Sequence, residues 1–161
     1  ILYLVIDGTH IVYELGGWRP PWGIEYKIDS FNAFIALIVS GIATVTSIYA
    51  FQSVPKEINK NNYGLFYAAF QLCLLGLIGI ALTGDIFNLF VFLEISSLSS
   101  YALISMGKSR KALTAAFSYL ILGTIGATFF LIGVGFLFAA SGSLNINDKI
   151  KLNYDFLIDQ N

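Results

Sequence analysis

Cysteine, histidine and methionine each occur once in this 161-residue chain, and proline only three times. A lone Cys73 inside an apolar run excludes an internal disulfide framework and says nothing of redox compartment. A lone His10 in a polar loop, with no Cys pair and no His–Glu spacing, argues against a metal site made by this chain alone. Charge is scarce as well: 12% of residues are charged, against about 25% in an ordinary soluble domain. The net charge of −1 and the lack of a large basic cluster argue against nucleic acid as a partner. There is no phosphate loop, nucleophile elbow or Cys-x-x-Cys-His, so neither an enzyme active site nor a cofactor is expected.

What is abundant is apolar sequence. Hydrophobic residues make up 57% of the chain and mean hydropathy is +0.75, the balance of a polytopic membrane protein. Residues 31–51, 63–83, 86–106 and 112–138 are each long and apolar enough for a spanning helix. The last is longer than required, so tilt or a projecting end is expected. The connections 52–62, 84–85 and 107–111 are short, which makes sequential helices antiparallel neighbours. The expected fold is an all-α membrane protein, an antiparallel transmembrane helix bundle with an extracytoplasmic β-hairpin loop.

The ends differ in kind. Residues 1–6 are apolar and lack an initiator Met, a basic leader and a small-residue cleavage site. They read as the end of an earlier membrane helix, so the chain is expected to be an internal fragment. In the loop 7–30, Ile24, Tyr26 and Ile28 alternate with Glu25, Lys27 and Asp29, a period of two. Ile11, Val12 and Tyr13 precede them, and Gly16, Gly17, Pro20, Pro21 and Gly23 supply the turn. A surface hairpin is expected, with Tyr13, Trp18, Trp22 and Tyr26 at headgroup level. Residues 141–161 read as a polar outer loop with a short helix. Lys56, Lys60, Lys108, Arg110 and Lys111 crowd the short loops 52–62 and 107–111, which places those loops in the cytoplasm. The hairpin, Asp85 and the tail then lie outside.

One residue breaks the apolar pattern. Glu94 stands about 12 Å into the 86–106 segment, near the bilayer midplane. A charged side chain there costs at least about 2.5–3.5 kcal/mol, and such residues mark proton sites, ion pathways or buried ion pairs. Every Lys and Arg of the chain lies in a loop. Glu94 is therefore either neutral much of the time or paired with a residue elsewhere, and both suit a proton carrier. At about 100° per residue, Ser97, Tyr101 and Ser105 fall within about 60° of Glu94, towards the inner surface. Their hydroxyls can donate and accept, so the stripe can carry water or relay protons. The competing reading is that serines are small and bond across helix contacts, the role that suits Ser96, Ser99 and Ser100. Asp85, after Thr83 and Gly84, is suited to capping its helix; proton entry is the alternative. Asn88 is one turn inside, and Gly123 with Ala127 forms a small-residue pair for close packing.

These residues resemble a known family. Thr83-Gly84-Asp85-Ile86-Phe87-Asn88-Leu89-Phe90-Val91-Phe92-Leu93-Glu94, then Ser100-Tyr101-Ala102-Leu103, resembles the fifth-helix signature of antiporter-like subunits. Such subunits occur in NADH:quinone oxidoreductase, membrane-bound hydrogenases and Mrp-type cation/proton antiporters. Glu14-Leu15-Gly16-Gly17-Trp18, Pro20-Pro21-Trp22-Gly23-Ile24 and Asp29 look most like the D subunits of Mrp antiporters. So do Gly133-Val134-Gly135 and Gly142-Ser143-Leu144-Asn145.

The resemblance implies the end of a second helix through a sixth, with the hairpin on the outer side. It makes Glu94 the fifth-helix glutamate, whose lysine partner on a broken seventh helix would lie beyond Asn161. It further implies exchange of Na⁺ or K⁺ for H⁺ by a multisubunit complex of the bacterial inner membrane. The proton-pumping arm of NADH:quinone oxidoreductase or a membrane hydrogenase is the alternative, and a plain membrane anchor is the third reading. Neighbouring genes separate the first two: small antiporter subunits on one side, flavin and iron–sulfur subunits on the other.

Overall fold

In the computed structural model, Val5 and residues 10–19 and 23–146 are described. The expected end of an earlier helix (apart from Val5), Trp22 and most of the 141–161 loop lie outside them. The described chain runs as β1 (Ile11–Glu14), β2 (Glu25–Ile28) and four α-helices, with short 3-10 turns at Leu15–Gly17 and Lys60–Asn62. These are α1 (Ser30–Glu57), α2 (Tyr63–Leu82), α3 (Ile86–Ser105) and α4 (Arg110–Ser141). All four are long and apolar enough to cross a membrane. The protein is an all-α membrane bundle with a small antiparallel hairpin at one end.

Capping residues fix where the helices start. Asp29 Oδ1 accepts the Asn32 amide at 2.8 Å ahead of α1. Ser109 Oγ accepts the Ala112 amide at 3.2 Å ahead of α4. Each satisfies a backbone donor that the first turn leaves free. α4 stops at Gly142, whose φ of 69° lets its N–H turn back to Phe138 O at 2.8 Å.

α1 continues beyond Phe51 to Glu57, through Pro55. Proline in that last stretch forfeits one amide bond, while its φ is already helical. Below it, Ala50, Val54 and Ile58 pack with Tyr63, Phe66, Tyr67 and Met106, and this contact holds the extra turn. With 28 residues in α1 and 32 in α4, these helices reach about 42 and 48 Å. Both exceed the hydrocarbon thickness of about 30 Å.

The hairpin pairs Ile11 with Ile28, Val12 with Lys27, Tyr13 with Tyr26 and Glu14 with Glu25. Its turn needs glycine, since Gly16 and Gly17 have φ of 65° and 76°. Tyr13 and Trp18 are exposed, as headgroup anchors would be. Tyr26 differs from the expectation: it turns inward, its ring 6.5 Å from that of Phe92 on α3. The cause is the placement of β2, which lies over the α2–α3 link with Gly84 N donating to Glu25 O at 2.9 Å and Tyr26 bridging Thr83.

Candidate functional site: the middle of α3

α3 is held from two sides. Towards α2, small residues permit close approach: a Cβ on Gly76 would stand 2.7 Å from Ser96 Cβ and 2.8 Å from Phe92 O. The ring of Phe92 covers Gly79 in the same way. Cys73 Sγ lies 3.5 Å from Ser100 Oγ. Ser96, Ser99 and Ser100 bond back to Leu93, Ile95 and Ser96 carbonyls within α3, which satisfies the hydroxyls within the helix itself.

Towards α4 the contacts are aromatic. Phe90 stacks with Phe130 at 6.1 Å, and Tyr101 meets Tyr119 edge-on at 4.8 Å. The Tyr101 hydroxyl lies over Gly123, where any Cβ would collide with it.

Glu94 belongs to this second face, since Phe90 and Tyr101 both lie within about 40° of it on the helix. It is half-buried among the described helices. The antiparallel register set by the two ring pairs puts Gly126 of α4 level with Glu94. Among the described residues the Glu94 carboxyl makes no hydrogen bond and no ion pair.

The rest of the expected stripe is uneven. Ser97 is half-buried. Tyr101 is 8% exposed, packed into the α3–α4 contact. Ser105 is exposed and its hydroxyl donates to Ala102 O at 2.8 Å. Glu94, Ser97, Tyr101 and Ser105 share a face, yet no hydrogen bond links one to the next among the described residues.

Asp85 stands at the far end of α3 from Ser105 and is buried. Its Oδ1 accepts the Asn88 amide at 2.7 Å, an N-cap. Asn88 in turn donates from Nδ2 to Thr83 Oγ1 at 3.0 Å.

Sequence reasoning missed what surrounds this cap. Ile86 N donates to Leu144 O and Ile146 N to Gly84 O, both at 3.0 Å. Asn145 Nδ2 reaches Glu25 Oε2 at 2.9 Å. The α2–α3 link is thus clamped between β2 and the segment after α4. Neither period nor composition signals such a pairing; only the run Gly142–Asn145 stood out, by resemblance. Among the described residues, no three His, Cys, Asp or Glu side chains group as a metal site would require.

Comparison with known proteins bears on the family and the fold. A family model described as NADH:quinone oxidoreductase/Mrp antiporter, TM matches residues 83–160. The N subunit of NADH-quinone oxidoreductase from Desulforudis audaxviator is 46% identical over 148 residues, 92% of this chain and 29% of that protein. The Na(+)/H(+) antiporter D subunit of Bacillus subtilis is 37% identical over 141 residues, 87% of this chain and 28% of that protein. Among solved structures, the membrane-bound sulfane sulfur reductase, an archaeal respiratory membrane complex, superposes with a TM-score of 0.80 at 39% identity. It covers 89% of this chain and 29% of the matched one. The Mrp complex of a Dietzia species does so with a TM-score of 0.76 at 31% identity, covering 89% and 27%. The chain therefore spans under a third of the length of these relatives.

Proposed function

This chain belongs to the NADH:quinone oxidoreductase/Mrp antiporter transmembrane family, and we propose that it is part of a subunit exchanging Na⁺ or K⁺ for H⁺. In this reading it is not an enzyme; it works inside a multisubunit complex of a bacterial inner membrane, with residues 52–62 and 107–111 on the cytoplasmic side. Glu94 is the group that takes up and releases the proton. The observation that carries the reading is its position: a carboxyl halfway along an otherwise uncharged spanning helix, without a partner among the described residues.

The chemistry follows from that position. A carboxyl held in apolar surroundings is stable as the neutral acid, or as the anion when a cation stands close. Moving a cation towards or away from Glu94 therefore drives proton release or uptake. In this reading that cation is the lysine that the family resemblance implies. Ser97 and Tyr101 lie on the route from Glu94 to the basic end, and Ser105 lies at its mouth. With water between them, their hydroxyls complete the path. Asp85 acts as a cap.

The test is exchange by the full-length protein in its complex, read in everted vesicles as cation-induced collapse of a pH gradient. Glu94→Gln keeps the shape and removes the titratable proton, so exchange should fall to background while Glu94→Asp retains part of it. Full exchange by Glu94→Gln refutes the role.

A second reading has its own support, since a 46% identical relative is an oxidoreductase subunit and a 39% identical solved neighbour belongs to a respiratory complex. In that case the same glutamate serves redox-driven proton pumping. Flavin and iron–sulfur subunits copurifying with the chain would favour it.

A further inference from the structure

At the end of the bundle away from the hairpin, an open groove of about 560 Å³ runs between the ends of α1, α2, α3 and α4. Its rim carries Lys56 and Lys108, and its floor is apolar, with Phe66, Leu103, Ile104 and Ala112. Lys60, Arg110 and Lys111 follow close by in sequence, and Glu57 is the acid on this rim. We propose that this groove binds an anionic phospholipid, its phosphate between Lys56 and Lys108 and the start of an acyl chain over Phe66 and Ile104.

Three observations converge on that occupant. Lys108 Nζ donates to the Lys56 carbonyl at 2.9 Å, which fixes one ammonium beside the end of α1 and leaves it two further donors. Glu57 accepts from Ser53 Oγ at 3.4 Å, within its own helix, rather than pairing with either lysine. The groove also lies where four apolar helices end, the depth at which headgroups meet acyl chains. Basic pockets between spanning helices suit acidic headgroups. A soluble anion would leave Phe66 and Ile104 in contact with water, whereas a lipid covers them.

The test uses the full-length protein in its assembled complex, delipidated in neutral detergent and titrated with dioleoylphosphatidylglycerol or dioleoylphosphatidylcholine, bound lipid being counted by native mass spectrometry. Wild type should retain at least one more phosphatidylglycerol than the Lys56→Gln, Lys108→Gln variant, or bind it at least threefold more tightly. The Arg, Arg counterpart should recover it, and phosphatidylcholine should not discriminate. Lys56→Gln alone leaves the main-chain carbonyl that holds Lys108, so it reports on charge even where the double variant does not assemble. Equal phosphatidylglycerol retention in wild type and Lys56→Gln overturns the proposal, as it would if another protein segment filled the groove. Displacement of the lipid by millimolar inorganic phosphate also overturns it, in favour of a soluble-anion site.

Discussion

Gly76 and Gly41 look alike in sequence, each a glycine inside an apolar helix, but the structure separates them. A Cβ on Gly76 would meet Phe92 O and Ser96 N at 2.8 Å, backbone atoms that no rotamer can move. On Gly41 it would meet nothing within 4 Å. Gly76→Ala should therefore destabilise the protein by about 1–3 kcal/mol, while Gly41→Ala should be neutral or stabilising by up to about 1 kcal/mol. Thermal unfolding of the purified full-length protein checks both. Asp85 poses a similar choice. As a cap it should tolerate Asp85→Asn, which keeps the acceptor, whereas Asp85→Ala should cost about 1 kcal/mol. Cation/proton exchange near wild type in Asp85→Asn supports the cap; abolished exchange points to proton entry instead. The position of Glu94 and the cap at Asp85 were legible from sequence because a carboxyl in an apolar run is rare and a cap has a local signature. The inward turn of Tyr26 was not, since an aromatic suits the headgroup layer as well as it suits a ring contact.

Among the elements, the spanning helices announce themselves by apolar length, and the start of α3 by Asp85. Their far ends are harder to read. The expected span ends at Phe51, yet tertiary packing of Val54 and Ile58 carries α1 on to Glu57. The clamp over the α2–α3 link was hidden for a different reason: it joins Glu25, Gly84 and Asn145 across more than half of the chain, and no local pattern encodes such a pairing. The clamp makes a specific prediction. Asn145→Ala removes the bond to Glu25, so the segment after α4 should loosen. Hydrogen exchange should then quicken at the Ile86 and Ile146 amides, which bond across that seam, while amides within α2 stay protected. Unchanged exchange at both positions would show that the backbone pairing alone holds it.

At the scale of the whole molecule, the hairpin and the basic turns occupy opposite ends of α3, so one membrane-sidedness experiment settles the orientation. In a cysteine-free background, Lys111→Cys should react with an impermeant maleimide only in everted vesicles, and Trp18→Cys only in intact cells. The reverse pattern would invert the assigned topology. The bundle itself was legible because apolar length is a coarse and robust signal. How its faces share the work was not, because apolar residues towards lipid, α2 or α4 read alike; only the ring pairs Phe90–Phe130 and Tyr101–Tyr119 show that Glu94 lies on the α4 side. The central claim is that this carboxyl changes protonation when the cation is exchanged. Cation-induced difference infrared spectra of the full-length protein in its complex address it directly. The expected result is a carboxylic C=O band that shifts in D₂O and vanishes in Glu94→Gln; the same band persisting unaltered in that variant would contradict the claim.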